Sequence, residues 1–110
     1  MNLISREELK ARLDRGDDFQ LLMGLGELAY QAKHIPGSTY TITPKALLDR
    51  FDRDDDIVVY CSNPTCIASI AVYKFLENHG YTNIKRYAGG LEDWEAAGLP
   101  LEGEMVKEGA

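Results

Sequence analysis

The sequence predicts a single α/β domain with a central parallel sheet and helices on both of its faces. Three observations lead to this prediction. The chain has 110 residues, which is enough for one domain but not for two. Short apolar segments alternate with segments of helical periodicity along its length. The strongest strand signal, Ile-Val-Val-Tyr over residues 57–60, is a continuous apolar run, which is typical of a strand buried on both faces of a parallel sheet.

The first half of the sequence predicts three helices and two strands. Ser5 and Glu8 form a capping box for the first helix, and Gly16 provides its end. Thr43 caps the third helix, with Pro44 at its first position. In chain order the elements are a helix over residues 5–15, a strand over 19–23, a helix over 27–33, a strand over 40–42 and a helix over 44–51.

The second half predicts two strands and two helices. Apolar side chains repeat at helical spacing over residues 67–79, and Gly80 and Gly98 end the two helices. The domain is predicted to span residues 1–101, and residues 102–110 are predicted to form a polar, frayed C-terminal tail. In chain order the elements are a strand over 57–60, a helix over 67–79, a strand over 81–87 and a helix over 91–97.

Composition and charge exclude several function classes. The net charge is −6 and the Lys and Arg residues form no cluster, which argues against nucleic acids and anionic membrane surfaces as partners. No apolar run approaches the roughly 20 residues that a membrane-spanning helix needs. Residues 1–20 lack the basic and apolar regions of a secretory signal. We therefore predict a cytoplasmic protein that binds neither nucleic acid nor a membrane.

The cysteine pattern leaves two hypotheses open. Cys61 and Cys66 are the two cysteines of the chain, with four residues between them. A disulfide scaffold needs more cysteines and an oxidising compartment. The spacing, even together with His34 and His79, matches no common zinc pattern, so we predict no metal. The cysteines therefore serve thiol chemistry or are inert core residues.

Cys61 ends the best predicted strand and precedes a short loop and the longest helix. In parallel α/β sheets the working site lies at the carboxyl ends of the strands. A loop that curls over a thiol directs backbone N–H groups at it, so a Cys61 thiolate is expected to have a lowered pKa and to act as a nucleophile. The alternative is that Cys61 is a small buried hydrophobic residue. The predicted active-site loop contains Cys61, Ser62, Asn63, Pro64, Thr65, Cys66 and Ile67.

Cys66 has two interpretations of its own. It opens the predicted helix and packs inward as a core residue, or it is a resolving thiol. As a resolving thiol it attacks a sulfur adduct on Cys61, expels the adduct group and leaves a disulfide between the two cysteines. That reaction requires the two Cα atoms to lie within about 7 Å of each other.

Several motifs around this loop occur in a recognisable order. They are HIPGS at 34–38, VVYC at 58–61, GYTNI at 80–84, AGGLEDW at 88–94 and AGLP at 97–100. In order and spacing they resemble the single-domain rhodanese family of sulfurtransferases over nearly the whole chain. The resemblance implies a parallel sheet flanked by helices, which agrees with the fold predicted from the periodicities.

The resemblance also implies an activity. Cys61 takes a sulfane sulfur atom from a small donor, holds it as a persulfide and passes it to a thiophilic acceptor such as cyanide, a small thiol or a protein thiol. It implies neither a cofactor nor a metal. The physical logic suits the loop, because attack needs a thiolate and the persulfide anion needs preorganised donors around it.

This sequence departs from the family pattern where the family carries charge. Family members usually carry Asp-Val-Arg after the second strand of the family fold, where this chain has Met23, Gly24 and Leu25, and the usual loop Arg corresponds to Cys66. Pro64 also removes one backbone N–H from the loop. Weak binding of thiosulfate is therefore expected, whereas a persulfide or polysulfide donor remains compatible.

The missing charges leave alternatives open. One is a catalytically weak rhodanese-like module that binds or regulates a partner protein, and another is a thiol redox element that uses both cysteines. Whether Arg86 or Lys85 on the next strand replaces the missing cation is an open question at this point. Related phosphatases and arsenate reductases have a longer loop, in which five residues separate the cysteine from an Arg. This chain has Ile67 at the position of that Arg, which argues against phosphoryl chemistry.

The other chemistry-bearing residues are predicted to be structural. His34 lies in a Pro-Gly turn and is expected to make local hydrogen bonds, and His79 lies at a helix end, where it suits the helix dipole. Trp94 and Tyr60 are predicted core residues. The glycine pair at 89–90 is interpreted as a helix entry rather than a phosphate loop.

Overall fold

The computed structural model describes residues 1–106 and has an α/β fold built on one four-stranded, all-parallel sheet, as predicted. Helices and strands alternate along the chain. In order, the elements are α1 (Arg6–Arg15), β1 (Gln20–Met23), α2 (Glu27–Ala32), β2 (Ser38–Tyr40), α3 (Pro44–Arg50), β3 (Ile57–Tyr60), α4 (Ala68–Asn78), β4 (Ile84–Tyr87) and α5 (Gly90–Ala96).

The strand order in the sheet is β2-β1-β3-β4, so β1 and β3 are the central pair. All pairings are parallel, and the four carboxyl ends therefore lie along one edge. The N-terminal segment runs beside β4, where Leu3 bridges Arg86. The Ile4 N–H donates to the Arg86 carbonyl at 3.1 Å, and the Arg86 N–H donates to the Asn2 carbonyl at 2.9 Å. This segment covers the outer edge of β4.

Each face of the sheet packs against its own hydrophobic core. Because side chains alternate along a strand, β3 contributes residues to both cores, which explains why its sequence is apolar throughout. The core beneath α3 and α4 contains Leu22, Leu47, Phe51, Ile57, Val59, Val72, Tyr73, Leu76, Tyr81 and Ile84. The core on the opposite face contains Ile4, Leu9, Leu21, Met23, Ile35, Val58, Tyr60, Tyr87 and Trp94.

All five predicted helices are present, and each begins and ends within one residue of its predicted bounds. The predicted N-caps form: the Ser5 side chain accepts from the Glu8 N–H and the Thr43 side chain accepts from the Ala46 N–H, both at 3.1 Å. Strand β3 has its predicted bounds. None of the helices described within residues 1–106 is long and apolar enough to cross a membrane.

The second strand differs from its prediction. The prediction over residues 40–42 is wrong by two residues, because β2 spans Ser38–Tyr40. Its position is set by pairing with β1, in which Ser38 lies opposite Leu21. Beyond β2 the Thr41 N–H donates to the Leu25 carbonyl at 3.2 Å, in the connection that follows β1.

The fourth strand is shorter than predicted. The prediction began at residue 81, but β4 spans Ile84–Tyr87. The Tyr81 N–H donates to the Leu76 carbonyl at 3.1 Å and thereby satisfies the end of α4. The ring of Tyr81 is buried in the core beneath α4. Tyr81 therefore terminates the helix and does not start the strand.

The predicted frayed tail is wrong over residues 102–106. His34 and Glu102 form an isolated antiparallel bridge with two backbone hydrogen bonds of 2.8 and 2.9 Å. The N–H groups of Glu104 and Met105 donate to carbonyls of α2. Donors at the end of the chain thus satisfy carbonyls that the end of a helix leaves free. Residues 107–110 of the predicted tail lie outside the described residues.

Candidate active site

The candidate site lies at the carboxyl edge of the sheet, where Cys61 directly follows β3 and residues 62–67 lead into α4. The first turn of α5 fixes the position of this loop through two backbone hydrogen bonds. The Leu91 N–H donates to the Cys61 carbonyl at 2.9 Å, and the Glu92 N–H donates to the Ser62 carbonyl at 2.8 Å. The N–H groups that follow the glycine pair therefore bind carbonyls of the loop and are not directed at a phosphate site. This agrees with the interpretation of residues 89–90 as a helix entry.

Gly90 permits this close approach of α5 to the loop. Its φ is +65°, in the left-handed region that favours glycine. A Cβ at this position would lie 2.4 Å from the Cys61 carbonyl oxygen, closer than any side chain can approach. The position of the loop therefore depends on the absence of a side chain at Gly90.

Asn63 organises the interior of the loop. Its Oδ1 accepts from the Thr65 N–H at 3.1 Å and from the Thr65 hydroxyl at 2.8 Å. Its backbone carbonyl accepts from the Cys66 N–H at 3.1 Å. The N–H groups of Thr65 and Cys66 therefore stabilise the turn.

The Cys61 thiol is almost completely buried, with only 1% of the residue exposed. Its Sγ lies 3.4 Å from the Ser69 Oγ and 3.5 Å from the Cys66 carbonyl oxygen. Burial raises the pKa of the Cys61 thiol, and the Cys66 thiol next to it raises that pKa further, against the opposing hydrogen bonds from Ser69. The predicted lowering of the Cys61 pKa is therefore wrong in direction for the resting site.

More backbone N–H groups favour a thiolate on Cys66 than on Cys61. Burial alone would raise the pKa of the Cys66 thiol, but hydrogen bonds from the Cys61 thiol and from backbone N–H groups lower it below its ordinary value. The donors are the N–H groups of Ser62, Ala68 and Ser69. Two of the three belong to the first turn of α4, where the helix dipole also favours an anion.

The two free thiols therefore behave as a pair. The Cys61 Sγ lies 3.5 Å from the Cys66 carbonyl oxygen, each thiol shifts the pKa of the other, and neither is in a disulfide. The first proton lost belongs to the pair, and the resulting negative charge is favoured on Cys66 while Cys61 keeps its proton. This arrangement brings together the two cysteines of the predicted loop and favours the negative charge on Cys66.

Two residues that complete the site were not among the predicted site residues. Ser69, in the first turn of α4, is buried beside the Cys61 sulfur. Arg86, on β4, donates through Nε to the Ser69 Oγ at 2.9 Å and through Nη2 to the Pro64 carbonyl at 3.4 Å. Of the two cations on the next strand, Arg86 is the one that reaches the loop. Lys85 points to the other face, towards Asp56.

The segment that corresponds to the family Asp-Val-Arg brings no charge to the site. Met23 and Leu25 pack into the core on the opposite face from α4. Gly24 closes the end of β1: its N–H donates to the Tyr60 carbonyl at 2.7 Å. A Cβ on Gly24 would lie 3.1 Å from the backbone of Ser69, so glycine here lets the start of α4 pack close to the sheet.

The other candidate residues have structural roles. The His34 Nδ1–H donates to the Tyr30 carbonyl at 2.7 Å, and the His34 ring stacks on the Tyr30 ring. His79 makes the equivalent contact with the Phe75 carbonyl near the end of α4. Trp94 and Tyr60 are buried core residues, as predicted. Among residues 1–106, no His, Cys, Asp and Glu side chains form a group of three or more that could hold a metal ion.

Sequence comparison identifies similar proteins. The model of the rhodanese-like domain matches residues 5–97. The HTH-type transcriptional regulator Rv0324 of Mycobacterium tuberculosis is 34% identical over 110 residues, which cover 96% of this chain and 47% of the regulator. The thiosulfate sulfurtransferase GlpE of Actinobacillus succinogenes is 41% identical over 54 residues, which cover 49% of this chain and 47% of that protein. The chain thus spans about half the length of these curated relatives.

Structural comparison gives the same picture. The solution structure of the rhodanese-like domain of Alr3790 from Anabaena sp. matches with a TM-score of 0.79 and 26% identity, covering 100% of this chain and 87% of that one. A thiosulfate sulfurtransferase from Pseudomonas aeruginosa has the same fold, with a TM-score of 0.78 and 24% identity, covering 94% of this chain and 20% of that one.

Proposed function

Because the chain belongs to the rhodanese-like domain family, we propose that it is a sulfurtransferase that carries sulfane sulfur as a persulfide on Cys61. One observation carries this proposal. Cys61 lies at the carboxyl end of a central strand, beneath a loop, with a Ser69 hydroxyl 3.4 Å from its sulfur and a second thiol in contact with it. A nucleophile, a hydrogen-bond donor and a proton acceptor therefore meet at one point.

The loading step begins with the thiol pair. The Cys66 thiolate accepts the Cys61 proton, and the Cys61 thiolate attacks the outer sulfur atom of the donor. The bond between the two donor sulfur atoms breaks and its electron pair leaves with the inner fragment. With thiosulfate the products are the Cys61 persulfide anion and sulfite, and with a small persulfide they are the Cys61 persulfide anion and a thiolate.

The unloading step regenerates the enzyme. Cyanide or an acceptor thiolate attacks the outer sulfur atom of the persulfide, and the bond between the two sulfur atoms breaks with its electron pair on Cys61. The outer sulfur leaves as thiocyanate or as a new persulfide on the acceptor, and the Cys61 thiolate is regenerated. The Ser69 hydroxyl and N–H lie where they can donate to the departing Cys61 sulfur. No cofactor takes part in either step. A reducing compartment such as the cytoplasm, which keeps both thiols free, suits this cycle.

Donor and acceptor preference follow from the loop. The loop carries no Arg or Lys between Cys61 and Ile67, so a sulfonate group finds no bidentate partner there. We therefore expect a persulfide or polysulfide to load the enzyme better than thiosulfate. Ile67 is 76% exposed at the rim of the site, and an exposed apolar residue there favours a protein thiol as one of the acceptors.

Intact-mass spectrometry tests this function. The reduced protein is treated with thiosulfate or, separately, with a polysulfide, and the variants Cys61→Ser and Cys66→Ser are treated in parallel. We expect the parent to gain one sulfur atom, cyanide to remove it, and Cys61→Ser to gain none. If the parent gains no sulfur from either donor, the transferase proposal is wrong and a binding or regulatory module becomes the better explanation.

The contact between the thiols favours a second candidate, a thiol redox element. The Cys66 thiol passes its proton to the outer sulfur of the Cys61 persulfide, and the resulting Cys66 thiolate attacks the Cys61 sulfur. The bond to the outer sulfur breaks, hydrosulfide leaves, a disulfide joins the two cysteines, and a small thiol reductant then reopens it. The relative from M. tuberculosis is named as a transcriptional regulator, which suits a domain that reports such a change to a partner. A disulfide that forms after polysulfide treatment and is absent in Cys66→Ser would establish this reaction.

A further inference from the structure

Arg86 is a buried cation without a counter-ion. The residue is only 7% exposed. Within residues 1–106 no carboxylate pairs with its guanidinium, and its polar side-chain partners are the Ser69 hydroxyl at 2.9 Å and the Pro64 carbonyl at 3.4 Å. Burial of a charge without an opposite charge is unfavourable. A group that becomes negative nearby would therefore be stabilised by Arg86.

The Cys61 sulfur is the group placed to become negative. The Ser69 Oγ lies between the two, 2.9 Å from Arg86 Nε and 3.4 Å from Cys61 Sγ. Since the guanidinium donates into the Ser69 oxygen, the hydroxyl proton is free to point elsewhere, and donation from Arg86 makes that proton a better donor. When Cys61 is a neutral thiol it donates to Ser69, and when it is an anion Ser69 must donate to it.

We propose that Arg86 is the resident cation of this site and that it holds negative charge on the Cys61 sulfur, as thiolate or persulfide, through the Ser69 hydroxyl. From β4 it takes the place of the Arg that the loop lacks at Cys66. Arg86 is thus a positioning residue, since it acts through Ser69. The part of this inference that concerns the persulfide rests on the proposed function, whereas the part that concerns the thiolate does not.

The groups that face Cys61 define what the test must control. From the loop, the Cys66 thiol is in contact and titrates with Cys61. From β4, Arg86 approaches through Ser69. After β1, Gly24 lies against the backbone of Ser69 and brings no side chain. The test is therefore made in a Cys66→Ser background, so that a single thiol titrates.

The experiment measures the rate of Cys61 alkylation by iodoacetamide as a function of pH. In the Cys66→Ser background we expect Arg86→Met to move the midpoint upward by about one pH unit, so that the rate near pH 7 falls roughly tenfold. Arg86→Lys keeps a charge but loses the planar fork, and it should recover part of the rate. Lys85→Met is the matched control, because it removes a cation from the same strand but from the opposite face, and its profile should overlay that of the background.

Two further variants test the route through Ser69. Ser69→Ala should slow alkylation in the same direction, and Ser69→Ala combined with Arg86→Met should be no slower than the slower single variant, because both changes break one connection. Unchanged profiles in Arg86→Met or in Ser69→Ala would overturn the inference, as would strictly additive effects. If circular dichroism shows that Arg86→Met does not fold, Arg86→Lys and Ser69→Ala decide the question.

Sulfur loading, measured by mass on the same variants with Cys66 retained, separates this inference from the proposed function. A shifted alkylation profile without sulfur uptake in the parent contradicts the transferase and leaves the role of Arg86 intact. Sulfur uptake together with an unshifted profile contradicts the role of Arg86 and leaves the transferase intact. A persulfide that forms in Arg86→Met but survives for as long as in the parent contradicts the persulfide part alone.

Discussion

Asp56 and Arg86 are charged residues at opposite ends of the same sheet, and the fold treats them differently. Asp56, just before β3 at the amino end, accepts from Arg12 at 2.9 Å and lies 3.6 Å from Lys85. Arg86 reaches the carboxyl end from β4 and, among residues 1–106, has no carboxylate partner. Its neighbours are a hydroxyl, a carbonyl and, beyond the hydroxyl, a thiol.

The difference separates charges that serve the fold from a charge that serves the site. A paired charge at the amino end is compensated in every state of the protein. An unpaired cation at the carboxyl end is compensated only when something negative forms beside it. Active sites commonly retain such unfavourable features because the function depends on them. Three predictions test this contrast, from the largest expected effect to the smallest.

The largest loss of unfolding free energy is expected when glycines near the carboxyl and amino ends of the sheet are replaced. Gly90→Ala places a Cβ 2.4 Å from the Cys61 carbonyl at a φ of +65°, and we expect it to lower the free energy of unfolding by about 3 kcal/mol or more. Gly16→Ala, after α1, has a φ of +71° but nothing within 4 Å, so only about 1–2 kcal/mol should be lost. Urea denaturation measures both.

Equal losses in these two variants would mean that the carboxyl edge is no more tightly built than the amino edge. Gly98→Ala, with a φ of +73° and open space around it, is a second control and should resemble Gly16→Ala. In Gly90→Ala we also expect faster alkylation of Cys61, because displacement of the loop exposes the buried sulfur.

An intermediate effect is expected from the two arginines. Arg12→Met removes a side chain that is only 14% exposed and that pairs with Asp56, so it should cost about 2 kcal/mol of unfolding free energy. Arg86→Met removes a more deeply buried cation, yet it should change that free energy by less than about 1 kcal/mol, because no ion pair is lost and the desolvated charge disappears. Urea denaturation at one pH measures both variants.

The opposite ranking would contradict the comparison. If Arg86→Met proved more destabilising than Arg12→Met, Arg86 would be part of the framework of the fold through Pro64 and Ser69. A stable Arg86→Met protein with a slow Cys61 is the result that a functional charge predicts. The two measurements on this one variant therefore answer different questions.

The smallest effect concerns the two thiols at the carboxyl end. The pKa of Cys66 is lowered and that of Cys61 is raised, so as pH rises Cys66 becomes a thiolate first. Near pH 7 we expect Cys66 to be alkylated roughly ten times faster than Cys61, as measured by peptide mapping at short labelling times. Cys61→Ser should slow the labelling of Cys66, because the Cys61 thiol is one of the donors that lower its pKa. Preferential labelling of Cys61 would show that the backbone donors serve Cys61 after all.

Local sequence signals account for much of the fold. Helix caps at Ser5 and Thr43 and the glycines after α1, α4 and α5 act within a few residues, so periodicity and capping place all five helices. β3 was equally clear because both of its faces are buried. β2 was misplaced because a three-residue strand carries little pattern of its own and takes its position from its partner, β1.

The candidate site was only partly predictable. The position of Cys61 follows from its place after β3, which is a local signal, and the pairing with Cys66 follows from their spacing. Ser69 was not predicted as a site residue, and Arg86 was named only beside Lys85 as a candidate replacement for the missing cation. Their contact joins positions 17 residues apart that meet only when β4 pairs with β3. A polar residue on the α4 face of β4, where a core residue is expected, was the one available signal for Arg86.

The sequence by itself determined the alternation of helices and strands, the end of the strand at which the thiols lie, and the absence of charge in the loop, because each depends on neighbours in the chain. The tertiary structure alone decided which cysteine ionises first and which cation reaches the site. Those properties depend on burial and on donors from other elements, and burial is decided only when the strands have paired and α4 has packed against them.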